Sequence, residues 1–164
     1  MQQEMKIELG QYCKDKITGI EGTVTYIVYN KYSATKIGLQ PSGVTRDGKM
    51  IEPEWFDWNQ VEYMKDGDVK PLDHGDPLFG YGDLVKDEIT SFEGVVVGMS
   101  FHINGCIRYD VAPTTLDKDG SPRRNMVYDQ GRLLLVTKQE PAIVPPPTNG
   151  PMDESIDLNN KPSR

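Results

Sequence analysis

Cysteine, histidine and tryptophan are scarce in this chain, two of each, and lysine and arginine are outnumbered by aspartate and glutamate, 18 to 25. Each shortage excludes something. No Cys-x-x-Cys pair and no His-Glu-x-x-His stretch occurs, so a zinc site has no support. A phosphate loop of the form Gly-x-x-x-x-Gly-Lys-Ser/Thr is missing, and so is Gly-x-Ser-x-Gly. The net charge of −7 opposes duplex DNA or an anionic membrane as the main partner, because both need a positive field. No apolar run approaches the ~20 residues that span a bilayer. The opening Met1-Gln2-Gln3-Glu4-Met5-Lys6 has no apolar signal core. Cys13 and Cys106 read as two buried, reduced thiols, the usual state in a reducing cytoplasm.

What is present is a repeat. Lys14-Asp15-Lys16-Ile17-Thr18-Gly19-Ile20-Glu21-Gly22 returns as Lys86-Asp87-Glu88-Ile89-Thr90-Ser91-Phe92-Glu93-Gly94. The offset of 72 positions also carries Gly10 to Gly82, Pro41 to Pro113, Asp47-Gly48 to Asp119-Gly120 and Asp57 to Asp129. About a dozen identities in one ungapped register fix the architecture as two copies of one small unit. Each unit is roughly 55 residues, near the lower limit for a self-supporting core, so the units are expected to pack on each other or on a larger assembly. The cysteines do not correspond between copies, as a disulfide framework would require.

Within the first unit, Lys6 to Lys14 alternates polar and apolar residues and predicts a strand. Glu21 to Tyr29 is β-branched and aromatic and predicts a second, with Gly22 marking a bulge or a close backbone approach. Ala34 to Gln40 is a third strand, ended by Pro41. Asp47-Gly48 signals a hairpin, Trp55-Phe56-Asp57-Trp58 a short strand or helical turn, and Val61 to Tyr63 a closing strand. The second unit repeats this plan, with Asn104-Gly105 predicting a type I′ turn. The fold class expected is all-β: two tandem small barrel-like modules, residues 6–64 and 80–136, joined by a linker at 65–79. Residues 137–164, with Pro145-Pro146-Pro147, form an extended C-terminal arm, disordered or laid along a neighbouring subunit.

Chemistry is hard to find. Asp66, Asp68, Asp73, His74 and Asp76 lack the ligand order of a calcium loop and read as a solvated acidic linker. His102 and Cys106 flank the Asn-Gly turn and read as an exposed histidine and a buried thiol. Lys118, Arg123, Arg124 and Arg132 read as a face of mixed charge. The repeated acids Asp15/Asp87, Glu21/Glu93 and Asp57/Asp129 read as structural, with the glutamates accepting backbone N–H bonds beside a strained glycine. No catalytic, cofactor or metal set emerges. Recognition is expected where the copies differ: Trp55, Trp58, Asn104, Arg108 and Pro145 to Pro147. Core or inter-unit packing is the bland role for both tryptophans. A pocket between the units would be lined by Tyr26, Trp55, Trp58, Tyr109 or Arg108.

The pattern Gly-Asp-x-Val-Lys-Asp-x-Ile-Thr-x-Phe-Glu-Gly-x-Val, then Asn-Gly-Cys-x-Arg-Tyr-x-Val-x-Pro, spans Gly82 to Pro113 and resembles a small-protein family of tailed bacteriophages. Gly10 to Pro41 is a diverged copy, and Glu54-Trp55-Phe56-Asp57 with Gln60 resembles that family's closing part. The resemblance implies a phage origin rather than a mechanism. At fold level the units are similar to Src-homology-type or KOW-type barrels, and fold alone does not give function. The expectation is a non-enzymatic virion protein, made in the host bacterial cytoplasm, acting as a capsid decoration or cement, or as a head–tail accessory. Its partners would be capsid, neck or tail subunits, or further copies of itself. The alternative is a soluble phage protein that captures a host factor or a small signalling nucleotide.

Overall fold

The computed structural model describes residues 6–140. It is all-β: ten antiparallel strands in one sheet, with no helix longer than three residues. The first unit holds β1 (Tyr12–Asp15), β2 (Glu21–Asn30), β3 (Lys36–Gln40), β4 (Glu54–Asp57) and β5 (Val61–Lys65). The second holds β6 (Leu84–Asp87), β7 (Glu93–His102), β8 (Ile107–Pro113), β9 (Met126–Asp129) and β10 (Leu133–Thr137). A 3-10 turn joins β4 to β5 and another joins β9 to β10. Each unit has its own core. Cys13, Val24, Ile37, Leu39 and Val61 fill the first, and their equivalents Val85, Val96, Tyr109, Val111 and Leu133 fill the second.

The sheet is open rather than closed into a barrel. Strands run β5-β1-β2-β3-β4 in the first unit and β10-β6-β7-β8-β9 in the second, and no ladder joins β4 to β5 or β9 to β10. The 3-10 turn swings the closing strand away from β4 onto β1, so each unit keeps two edges unpaired among the described residues. The first strand is also shorter than the alternation from Lys6 predicts. The chain turns at Leu9-Gly10, where Gly10 takes φ +85°, and the ladder begins only at Tyr12.

Gly22 and Gly94 are places of close approach, not of bulging. A Cβ on Gly22 would lie 2.5 Å from the Gln40 carbonyl oxygen, and one on Gly94 2.4 Å from that of Ala112. The bulge comes three residues later, at Thr25 and Val97, where the register with β3 and β8 slips. It reverses which side chains face inward, so Val24 and Ile27 are both buried. It also turns two carbonyls toward the other unit: Thr25 accepts from the Ile103 N–H and Val97 from the Lys31 N–H.

Those bonds flank the junction between the copies, an antiparallel ladder of β2 against β7. Val28 faces its own repeat equivalent Ser100, Ile27 faces Phe101, and Tyr29 faces Met99. Equivalent residues therefore exchange places about a pseudo-twofold axis through Val28 and Ser100. On the inner face the equivalents Tyr29 and Phe101 meet edge to face, 5.8 Å between centroids. The linker crosses this face. The Leu72 N–H donates to the Ile103 carbonyl, His74 stacks on Phe101 at 4.6 Å, and Phe79 already belongs to the second core. No helix of the described residues is long and apolar enough to cross a membrane.

Candidate functional site

The outer face of the junction is a continuous run of six strands, β4-β3-β2-β7-β8-β9, and its side chains line up in rows across it. The middle row follows Asp57, Lys36, Val28, Ser100, Arg108 and Asp129. It ends in two equivalent ion pairs. Lys36 Nζ lies 2.6 Å from Asp57 Oδ1, outside hydrogen-bond geometry, and Arg108 Nε donates to Asp129 Oδ1 at 2.7 Å. The Asp129 carboxylate raises the Arg108 pKa and keeps its guanidinium charged.

The two flanking rows are equivalent in position and unlike in chemistry. One runs Trp55, Gly38, Tyr26, His102. Because Gly38 has no side chain, the Trp55 ring lies over it and reaches Tyr26. Ring centroids are 5.3 Å apart for Trp55–Tyr26 and 4.2 Å for Tyr26–His102. The other row runs Asn30, Gly98, Asp110, Val127 and is polar or small. Between the aromatic row and the Asp110 side lies a groove of about 470 Å³, lined by Tyr26, Val28, Trp55, Ser100, Arg108 and Asp110, with Glu52 and Pro53 at its rim.

Three of the residues expected in an inter-unit pocket, Tyr26, Trp55 and Arg108, meet in this groove. Two do not. Tyr109 is wholly buried in the second core, where its hydroxyl donates to Gln130 Oε1 at 2.7 Å and accepts from the Phe79 N–H. Trp58 packs on the first core and borders a separate cleft with Lys16 and Tyr63. Asn104 sits in the β7–β8 turn, away from the groove lining, with its Oδ1 accepting from the Cys106 N–H. Only Gly105 has positive φ there, and its N–H donates to the His102 carbonyl, so the loop is a type I turn closed by a glycine rather than type I′. Pro145, Pro146 and Pro147 lie outside the described residues. Sequence reasoning missed Ser100, Asp110 and Glu52. Alternation along β8, which buries Tyr109 and leaves Arg108 and Asp110 outward, was the available signal.

The remaining groups are placed as follows. Cys13 is buried, and desolvation pushes its thiol up to about 11. Cys106 is exposed, contrary to expectation, while His102 is half-buried beside Tyr26. The Glu21 carboxylate accepts from the Tyr12 hydroxyl at 3.4 Å and pairs with Lys14, rather than taking backbone N–H groups. Of Lys118, Arg123, Arg124 and Arg132, the group expected as a face of mixed charge, Arg123 pairs with Asp117 and Arg132 with Asp87. Among the described residues no three acidic, histidine or cysteine groups gather as a metal site. A larger cavity of about 600 Å³ lies under the linker, between Leu9, Ile27, Tyr29, Leu72 and Phe101. Compared with protein families, with curated proteins and with solved structures, the chain matches none.

Proposed function

We propose that the protein is a non-enzymatic component of a tailed-bacteriophage particle, acting through protein–protein contacts as a capsid decoration or head–tail accessory. One observation carries this reading. Among the described residues the sheet ends in strands paired on one side only, and one of them, β10, holds Leu134, Leu135 and Val136 about half exposed. An apolar edge with free N–H and C=O groups is a surface built to be covered. We further read each unit as a partly open barrel of the Src-homology or KOW kind. The strand order, the bulge-bent second strand and the 3-10 turn before the closing strand support this reading. The test is the protein content of purified virions. A stoichiometric band of this chain is expected; particles assembled at normal yield without it would refute the reading.

The groove, about 470 Å³ and lined by Trp55 and Tyr26, gives room for a second reading: a soluble phage protein that binds a host factor or, against the charge of Glu52 and Asp110, a small signalling nucleotide. A thermal-shift screen addresses it, since a ligand specific for the folded state raises the midpoint by mass action.

A further inference from the structure

We infer that the junction groove receives a cationic side chain, an arginine above all, presented by an exposed segment of a partner protein. The inference rests on the protein-contact reading and names the chemistry of that contact.

Charge decides the class of ligand. Arg108 is the groove's only cation among the described lining residues, and it is neutralised by Asp129 at 2.7 Å. Glu52 and Asp110 contribute two carboxylates, and among the described residues only Asp110 has a protein partner, the Asn125 amide at 3.2 Å. The groove is therefore locally negative within a chain of net charge −7. An anionic ligand would meet two carboxylates and one guanidinium already taken.

Shape decides the rest. Trp55 is 48% exposed, lying over Gly38 with its ring against Tyr26, so about half of the residue's surface is open to a ligand. Indole is the best ring for a cation, and a planar guanidinium can stack on it while bonding a carboxylate edge-on. Val28 and Ser100 on the axis form a floor without charge. The second unit has Val127 where the first has Trp55, and Asp110 where it has Gly38. The pseudo-twofold face thus offers the ring from one copy and the carboxylate from the other, and a single such site.

The test uses the full chain and short capped glycine–serine peptides with one central arginine, lysine, citrulline or glutamate, with a purine mononucleotide as the anionic rival. The readout is the two indole N–H resonances. The arginine peptide should shift the Trp55 signal and leave Trp58 unmoved. The citrulline peptide, equal in shape without charge, should bind about tenfold more weakly, and added salt should weaken the arginine peptide. Asp110→Asn should weaken binding several-fold. Arg108→Gln should strengthen it, because Asp129 is then released to the cation. Equal binding of arginine and citrulline peptides would overturn the inference, as would no Trp55 shift at about 10 mM peptide. So would nucleotide binding that Arg108→Gln abolishes. Thermal midpoints of the variants report folding separately, since Trp55, Arg108 and Asp110 lie outside both cores. Virion content is measured independently: peptide binding without virion incorporation would refute the assembly reading alone, and incorporation without peptide binding would refute the groove alone.

Discussion

At the scale of single residues, the repeat supplies its own controls. Asp15 and Asp87 are both wholly buried, and each accepts from the amide and hydroxyl of the threonine three residues on. Among the described residues only Asp87 has a cation. Arg132 donates to it through Nε at 2.9 Å and Nη2 at 2.8 Å, and this pairing outweighs burial and lowers its pKa to about 2. Burial raises the Asp15 pKa, but hydrogen bonds from Thr18, together with the Ile17 amide and Gln60, more than offset this and the net shift is downward. Gln60, in the place of Arg132, stands close enough to favour the Asp15 carboxylate, yet Oδ1 has no hydrogen-bond partner. A depressed folded pKa stabilises above the unfolded value of 3.8 and is lost as pH falls toward 2. Arg132→Gln should therefore move the acid-unfolding midpoint to higher pH. Gln60→Arg should move it lower by giving Asp15 a partner. Circular dichroism during acid titration checks both signs; no shift from Arg132→Gln would show the pair to be inconsequential.

Two further positions invite the same comparison. Ser91 adopts φ +61°, and its counterpart Gly19 takes φ +75°. Ser91→Gly should stabilise by about 0.5–1 kcal/mol, the left-handed strain removed less the added chain entropy. Thr25 Oγ1 is buried without a partner among the described residues, and its counterpart is Val97. Thr25→Val keeps the shape and removes the orphan hydroxyl, for a gain of about 1 kcal/mol. Denaturant midpoints at unchanged slope measure both, and a loss of stability in either would contradict the account.

At the scale of elements, what the sequence reveals follows what is local. The all-β class and most strand positions are readable because alternation and β-branched runs are local signals. The bulge is not readable from Gly22, because it is set by a register slip against β3 that only pairing reveals. Nor is the open sheet: whether β4 meets β5 depends on where a three-residue 3-10 turn sends the chain. In the groove, Trp55 and Arg108 could be singled out because the copies differ there. Trp58 could not be told from Trp55, since the 3-10 turn that begins at Trp58 breaks the strand period and directs that ring to the core while Trp55, in β4, stays at the surface. Tyr109 answers a large-for-small exchange. Ile37 with Trp58 in one unit becomes Tyr109 with Gln130 in the other, a swap of volume for a hydrogen bond.

At the scale of the whole molecule, the junction decides whether two small units behave as one. Each core is built from few residues, near the size at which a domain barely stands alone. The β2–β7 ladder and the inner-face contact of Tyr29 with Phe101 add a shared layer, which the linker covers through His74 and Leu72. Tyr29 touches the first core and Phe101 the second, so their contact links the two clusters directly. The intact chain should therefore unfold in one transition. Tyr29→Ala and Phe101→Ala should each destabilise it, by about 3 kcal/mol for a ring of this size with partial burial. The pair should show a coupling of about 0.5–1.5 kcal/mol in a double-mutant cycle, the contribution of an edge-to-face contact beyond burial. With both rings removed, the ladder alone joins the units, and calorimetry should resolve two overlapping transitions in place of one. Strict additivity of the two substitutions, with a single sharp transition kept in the double variant, would mean that the backbone ladder suffices to couple the units. The pseudo-twofold ring contact would then have no part in making them one molecule.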